Sequence, residues 1–376
     1  MLPYAGILIS EQVHRGIKNG RMGIEKLTFY IEGGEAHGIT PTFFRLKDIR
    51  LHDLRVKAWL WNGEWFVRRM IPLPACIHNR TFFSTKKARI KYKQLLQHTY
   101  TFNRNNRYGK LHIHQLLMLH EGIRPHLPHT EIASLQNIHR FMKLYNHFFL
   151  KPNSSSIGRG IWFFRKKGDF WECIQAGSKF RRSQTLRFRK KVPWQIVHAF
   201  RTKKHLLQKQ LPLAHYEGRP FDFRISVQRD GSGEWQVTGM VGKVAAPSKM
   251  VTNLAQGGSA LTLEQLLAAY PNLNPDQVRE HLQLFSLEVA QHLSKHLPHL
   301  ADIGLDVGIT SFGFPVFIEC NGRDQRYSFK NGGLDDIWKA TFYNPMAYAS
   351  YWLKTAAVSS EKPQQEAPID MNPFSP

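Results

Sequence analysis

The sequence predicts an α+β protein in which strands and helices alternate over more than one sub-domain. Its 376 residues are enough for two or three compact domains. Residues 221–228 and 235–244 have the pattern of two strands joined by a glycine-containing turn. Between 276 and 297, apolar residues recur at spacings of three and four, which predicts one amphipathic helix.

The N-terminal region has the pattern of a small α/β domain. Residues 5–9, 59–61 and 65–67 are strand-like, and glycines at 33, 34 and 38 are expected to separate elements. A helix is predicted from 110 to 121, followed by a second helix with Thr130 as its N-cap. After residue 352 the chain becomes polar and rich in proline, so 353–376 is predicted to be disordered.

The composition limits the classes of function. The net charge is +24, and residues 178–210 contain eleven Lys or Arg with no Asp or Glu. Such a run is either a solvated face or a site for an acidic substrate or polymer.

The three cysteines are far apart in sequence, which favours a reducing compartment. No apolar stretch approaches the roughly 20 residues of a membrane span, so we expect a cytoplasmic protein.

The best candidate for chemistry is a predicted hairpin in the C-terminal third of the chain. Its turn is expected to be centred between Phe312 and Gly313. That register places Asp306 directly opposite Glu319, with Asn321 on the same face. Facing carboxylates repel unless a cation lies between them, and oxygen ligands suit Mg²⁺. An ordinary hairpin with one exposed acid is the alternative.

A second candidate is the serine- and glycine-rich loop after Lys151. Small residues, including Ser156, Gly158 and Gly160, let backbone amides approach phosphate oxygens, and Lys151 adds a positive charge. The lysine precedes the glycines, so the segment is not a P-loop. A simple hairpin turn of the same composition is the alternative.

Two basic residues lie on the predicted strand pair, Arg224 on the first strand and Lys243 on the second. Buried strands rarely carry an arginine without a partner. We therefore expect Arg224 to meet either Asp222 or an anionic ligand.

These motifs occur in the order seen in the ATP-grasp superfamily. The matching segments are Lys151 with 158–160, 221–224, Asn253 with 257–258, Asp306, and 319–321. Residues 71–74, 221–224 and 318–323 most resemble the endospore coat-associated YheC/YheD branch. The likeness spans roughly 110–343, and the first hundred residues resemble the branch more loosely.

The resemblance implies an ATP-grasp fold over 109–352, with two α+β lobes clasping ATP, after an N-terminal α/β domain at 1–108. Residues of about 146–210 would form a mobile lid lobe, and Gln208 to Leu211 would hold the adenine. Matched to the family's motifs, the residues that would bind the nucleotide are Lys110, Lys151, Ser156, Gly158, Gly160, Gln208, Leu211, Arg224 and Asn253.

The resemblance also implies catalytic and metal-binding roles. Arg224 and Lys243 would be catalytic, although related members often carry Arg where this chain has Lys243. Asp306, Glu319 and Asn321 would bind Mg²⁺, with Mn²⁺ as the alternative ion. The proline that usually follows the metal-binding asparagine is absent, and the chain continues as 322–324, Gly-Arg-Asp.

The implied function is an ATP- and Mg²⁺-dependent ligase that joins a carboxylate to an amine or similar nucleophile through an acylphosphate. An acidic small molecule or polymer would be the substrate, and the spore or its coat a possible location. One alternative is a spore-coat-associated structural protein that binds nucleotide without turnover. Another is a polyanion or nucleic-acid binder that uses 178–210, although no helix-turn-helix or zinc-finger spacing supports it.

Overall fold

The computed structural model describes most of the chain, and every structural statement below refers to these residues: 2–154, 160–175, 183–247, 252, 254 and 257–358. They form three sheets with helices packed between and around them, so the chain is an α+β protein as predicted. Among the described helices, none has both the length and the apolar character needed to cross a membrane.

The N-terminal sheet has seven strands in the order β3-β4-β2-β1-β6-β7, with β5 paired to β4. Its elements are β1 (Tyr4–Leu8), α1 (Glu11–Gly16), α2 (Leu27–Ala36), β2 (Thr40–Phe44), β3 (Ile49–Arg50), β4 (Arg55–Trp61), β5 (Phe66–Pro72), β6 (Cys76–Asn79), α3 (Lys86–Leu95) and β7 (Tyr100–Phe102). Gly33 and Gly34 do not separate elements as predicted, because both lie inside α2. A Cβ atom at Gly34 would lie 2.3 Å from the Pro41 ring, so close packing explains this glycine.

The second sheet is antiparallel, in the order β12-β11-β10-β9-β13-β8. Its elements, after helix α4 (Lys110–Leu117), are β8 (Thr130–Ile132), α5 (Leu135–Leu144), β9 (His147–Pro152), β10 (Trp162–Lys167), β11 (Phe170–Gln175), β12 (Gln184–Phe188), α6 (Trp194–Thr202) and β13 (His205–Lys209). The predicted N-cap at Thr130 is wrong. Thr130 lies in strand β8, where it pairs with Gln208 of β13, and the hydroxyl of Ser134 caps α5 instead. We call this sheet, together with α5 and α6, the second lobe.

The third sheet is antiparallel, in the order β17-β16-β15-β18-β19, with β14 paired to β15. Its elements are β14 (His215–Tyr216), β15 (Arg219–Arg229), β16 (Trp235–Val244), β17 (Ser259–Leu261), α7 (Leu263–Leu267), α8 (Pro275–His296), β18 (Asp302–Ile309), β19 (Pro315–Asn321), α9 (Tyr327–Asn331) and α10 (Asp335–Val358). The predicted strand pair is β15 and β16, and the predicted amphipathic helix is α8.

Helix α10 extends further than predicted. Disorder was expected from residue 353, but the helix continues to Val358 because its last turns pack on the N-terminal sheet. Trp352 stacks on Tyr100 with ring centroids 4.4 Å apart, and Leu353 joins the same apolar core. Residues 359–376 lie outside the described residues.

Buried ion pairs fix the N-terminal sheet to the third sheet. Asp302 at the start of β18 is fully buried and contacts Arg326 at 2.6 Å and Arg80 at 3.4 Å. Arg80 in turn pairs with Glu25 at 2.9 Å. Burial alone would raise the pKa of Asp302, but Arg326, His78 and Arg80 hold it well below its ordinary value. The carboxylate is therefore charged and holds two buried arginines together.

Replacing Asp302 with alanine should destabilise the fold by about 3–5 kcal/mol, because it leaves Arg326 and Arg80 buried without their shared counter-charge. Chemical denaturation would measure this change. The matched control is Asp276→Asn, since that carboxylate is 93% exposed. It should change stability by no more than about 0.5 kcal/mol. Equal stability of the two variants would contradict a structural role for Asp302.

Candidate active site

The β18–β19 hairpin places Asp306 directly opposite Glu319, as predicted. The turn is centred on Phe312, slightly earlier than the predicted centre between Phe312 and Gly313. Next to the turn, the two strands therefore pair one residue out of the predicted register, for example Ile309 with Pro315. A bulge at Ile318 then shifts the register by one residue and restores the predicted pair. The pairing was therefore predicted correctly from an incorrect turn centre.

Asp306 is held by Arg224 of the adjacent strand β15 and by Lys243 of β16, the strand beyond it. Its Oδ1 atom lies 2.7 Å from Lys243 Nζ and 2.9 Å from Arg224 Nε. Burial alone would raise the pKa of Asp306, but Arg224 and Lys243 lower it to about 2. Asp306 is therefore ionised between two cations.

Asp222 pairs with Lys243 at 2.9 Å. Of the two partners predicted for Arg224, Asp222 or an anionic ligand, Asp222 is therefore not observed as a partner among the described contacts. Burial raises the pKa of Asp222 to about 6, with Asp306 adding to the rise and Lys243 opposing it. The Thr252 hydroxyl also donates a hydrogen bond to Asp222. Lys243 thus lies between two carboxylates, Asp222 and Asp306.

Asp324 is a partner of Arg224 that the sequence analysis missed. Its Oδ1 atom accepts a hydrogen bond from Arg224 Nη1 at 3.0 Å, and the residue is fully buried. Its other oxygen has no hydrogen-bond partner among the described residues. Asp324 follows the end of β19 in an irregular segment, where no periodic pattern marks it. Arg224 is therefore fixed by one carboxylate on each side.

Two further lysines reach the same region from helix α4 and strand β9. Lys110 Nζ lies 2.5 Å from Glu319 Oε1, and Lys151 Nζ lies 2.5 Å from Gln208 Oε1. Burial, together with the charge of nearby Lys110, lowers the pKa of Lys151 to about 8, against the opposing effect of Glu319. Asn153 joins the two elements, because its side chain accepts a hydrogen bond from the Leu111 amide.

Most of these side chains, though not Asp324 or Asn153, line one cavity of about 220 Å³ between the second lobe and the third sheet. The predicted site residues that line it are Lys110, Lys151, Gln208, Leu211, Arg224, Lys243, Asp306, Glu319 and Asn321. Gly160 is not among the lining residues. Ser156, Gly158 and Asn253 lie outside the described residues. Asp222 and Thr252 also line the cavity and were not predicted as site residues.

The residues at β18 and β19 fit a magnesium ion. Asp306, Glu319 and Asn321 all line the cavity and offer oxygen atoms of the kind Mg²⁺ prefers. The side-chain nitrogen of Asn321 is buried without a hydrogen-bond partner among the described residues; as a donor it could meet a phosphate oxygen, while the side-chain oxygen is the atom that could bind the metal ion. Within the described ranges, no cluster of three His, Cys, Asp or Glu side chains forms a metal site. Such a site would therefore need Asn321 and ligand oxygens.

Because Gly304 has no side chain, Asp324 and Arg224 can occupy the space next to its Cα atom. A Cβ atom at Gly304 would lie 2.4 Å from Asp324 Oδ1 and 3.0 Å from Arg224 Nη1. Gly304→Ala should therefore displace both side chains and destabilise the fold by about 1–3 kcal/mol in chemical denaturation.

Gly231→Ala is the matched control for this prediction. A Cβ atom at position 231 would lie 3.6 Å from the Cβ atom of Ala347, which is an ordinary van der Waals contact. It should change stability by no more than about 0.5 kcal/mol. A Gly304→Ala protein as stable as this control would show that the site tolerates movement of Asp324.

Comparisons with known proteins agree with this architecture. A family described as YheC/D like ATP-grasp matches residues 98–352. The endospore coat-associated protein YheD of Bacillus subtilis (strain 168) is 24% identical over 344 residues, 85% of this chain and 72% of YheD. Its counterpart YheC, from the same organism, is 23% identical over 302 residues, 77% of this chain and 82% of YheC.

A solved structure shows the same fold. The ATP-grasp ligase PsnB, complexed with minimal precursor, Mg and ADP, aligns with a TM-score of 0.53 at 13% identity. The alignment covers 92% of this chain and 98% of PsnB. Because the family match covers more than half of the chain and the structural match covers nearly all of it, this protein has an ATP-grasp fold and belongs to the YheC/D-like ATP-grasp family.

Proposed function

We propose that this chain is an ATP- and Mg²⁺-dependent ligase that joins a carboxylate to an amine or similar nucleophile. One observation carries the proposal: a single cavity combines cationic side chains suited to phosphates with an oxygen set suited to Mg²⁺. The family membership supports it, and so does the fold shared with PsnB, which was solved with Mg and ADP.

The nucleotide would lie between the second lobe and the third sheet. Lys151 and Lys110 would contact its phosphates, exchanging Gln208 and Glu319 for phosphate oxygens. The segment from Gln208 to Leu211 lines the cavity where β13 ends, so its backbone would hold the adenine.

Asp306, Glu319 and Asn321 would hold the metal ion, Mg²⁺ or Mn²⁺. Bound Mg²⁺ would neutralise phosphate charge and favour attack at the terminal phosphorus. Arg224 and Lys243 would stabilise the negative charge that develops on the transferred group. Because Asp306 and Asp324 accept hydrogen bonds from three of the five N–H groups of the Arg224 guanidinium from two sides, its two remaining donors would already be oriented before reaction.

The proposed reaction has two balanced steps. A carboxylate oxygen of the acceptor attacks the γ-phosphorus, an O–P bond forms, and the bond to the β-phosphate oxygen breaks to release ADP. The nucleophile then attacks the acyl carbon, a C–N bond forms for an amine, and the C–O bond breaks to release phosphate. The attacking nitrogen loses one proton in this second step, and the released phosphate takes it up as hydrogen phosphate.

The second candidate function is a spore-coat-associated protein that binds nucleotide without turnover. Both curated relatives are named endospore coat-associated proteins. In addition, Arg224 and Lys243 engage Asp306 in the described structure. If these ion pairs persist when nucleotide is bound, Asp306 does not serve as a metal ligand, which favours binding without turnover. A role in spore formation is compatible with either candidate.

The first test measures nucleotide binding and turnover together. Calorimetry with ATP, in Mg²⁺ and in chelator, should show affinity at least tenfold higher with Mg²⁺, about 1.4 kcal/mol. Glu319→Gln should lose that dependence, because it removes a metal-binding carboxylate. The matched control Glu288→Gln changes a carboxylate on α8, outside the cavity lining, and should retain it.

Turnover separates the two candidates. Mass spectrometry of the protein with ATP, Mg²⁺ and a pool of acidic and amine compounds should detect ADP and a condensed product. Metal-dependent binding without ADP release across the pool would favour the coat-associated candidate. Absence of nucleotide binding under all conditions would exclude both.

Lys151 predicts a pH signature of nucleotide binding. Its pKa of about 8 means that it is largely neutral at pH 9 in the free protein. Phosphates would favour the charged form, so binding should take up close to one proton at about pH 9 and little at about pH 7. Calorimetry in buffers of different ionisation enthalpy measures this uptake.

Lys151→Arg is the control, because arginine stays charged at both pH values. It should bind nucleotide with no comparable proton uptake at about pH 9. Equal proton uptake by both proteins would show that Lys151 does not titrate on binding.

A further inference from the structure

The second lobe carries a cationic surface separate from the cavity. We call Arg187, Arg189, Lys190 and Lys191 the lobe basic surface; all four are exposed, on β12 and the segment that leads to α6. Arg187 pairs with Glu172 at 3.0 Å. The other three form no ion pair with any acidic side chain that the structure describes. None of the four lines the cavity.

Glu172 does not neutralise this surface. It is buried in β11 and pairs with Arg165 at 2.6 Å, Lys167 at 3.4 Å and Arg187 at 3.0 Å. Three cations from β10 and β12 thus share one carboxylate, and 69% of the Arg187 side chain remains exposed. The strands leave an excess of positive charge facing solvent.

Strand β12 is also an edge of its sheet. It pairs with β11 from Gln184 to Phe188 and with no other strand in the described part of the chain. Its outer edge therefore presents backbone N–H and C=O groups in an extended, pre-arranged row. Leu186 and Phe188 pack towards the lobe core, while Thr185 and Arg187 are exposed.

We propose that β12 and the lobe basic surface bind an extended acidic peptide segment of the ligase acceptor. An added strand would pair with the open backbone edge, and its alternate side chains would project beside Arg187. Carboxylates at those positions would complement the uncompensated charges. The Trp194 side chain, 70% exposed at the start of α6, offers an apolar contact near the same surface.

The edge favours a peptide over a nucleic acid. A phosphate backbone would use the charge but could not add to the strand ladder, whereas a peptide uses both features. Strand pairing aligns Arg187 with His147 of β9, so the basic side chains lie at the far end of the strands from Lys151, but it aligns Gln184 with Leu150, next to Lys151. A segment paired along β12 would reach the Gln184 end, which lies three strand spacings, or about 14 Å, from β9. About four or five extended residues would span this distance, so a docked segment could present a following carboxylate to the cavity.

This inference rests on the proposed ligase function, and its test reports on both. The probe is a fluorescein-labelled synthetic peptide of alternating Glu and Thr, 12 residues long, and its binding is followed by anisotropy. The test variant replaces all four residues of the lobe basic surface with serine. The matched control replaces the exposed Lys86, Lys87, Arg89 and Lys93 of α3 with serine, which removes equal charge elsewhere.

The lobe variant should bind the peptide at least tenfold more weakly than the natural protein, and the α3 variant should bind it nearly as well. Both variants should retain Mg²⁺-dependent ATP affinity, because none of the substituted residues lines the cavity. Loss of peptide binding to the same extent in both variants would overturn the proposal. Loss of ATP binding in the natural protein would instead count against the ligase function.

N-methylated peptides test the strand edge itself. Methylation of one alternate set of peptide amides should abolish binding, and methylation of the other set should not, because only one set faces β12. Equal binding of both methylated peptides, together with competition by single-stranded DNA of the same length, would overturn the proposal and assign the surface to polyanions in general.

Discussion

Buried charges in the third sheet must be neutralised by one another, and this requirement organises the active site. Lys243 lies between Asp222 and Asp306, and Arg224 lies between Asp306 and Asp324. These alternating charges connect β15, β16, β18 and the segment after β19. Because loss of one member leaves another charge buried without a partner, each residue fixes the position of the next.

Strand β18 links this site to the N-terminal sheet. Asp302 and Asp306 lie four residues apart on the strand, so their side chains project to the same face. Asp302 holds Arg80, which follows β6 of the N-terminal sheet, and Arg326, while Asp306 holds Arg224. The position of the N-terminal sheet and the geometry of the cavity therefore depend on one strand, and a shift in its register would disturb both.

The sequence was informative where a regular pattern continued over many residues. The alternation in β15 and β16 and the helical spacing in α8 predicted those elements, whereas the Asp306–Glu319 pairing was predicted correctly only because the bulge at Ile318 offset the error in the turn centre. It was uninformative where tertiary contacts decide. Thr130 has the chemistry of an N-cap but pairs with β13, and Asp324 reaches Arg224 only through the path of an irregular segment. Packing on Tyr100 likewise keeps α10 helical beyond Trp352.

The distribution of charge distinguishes the cavity from the outer surface. Inside the cavity, Lys110, Arg224 and Lys243 are each paired with a carboxylate, and Lys151 is held by the neutral Gln208. The net charge of +24 must therefore reside mainly on exposed residues, of which the lobe basic surface is one concentrated part. Long-range attraction of anions then comes mainly from the exterior, whereas the cavity, lined by five Lys or Arg side chains and three carboxylates, carries a much smaller positive charge. A triphosphate entering that cavity would meet Glu319 and Asp306 as well as the lysines, so a divalent cation would offset repulsion that the paired lysines cannot.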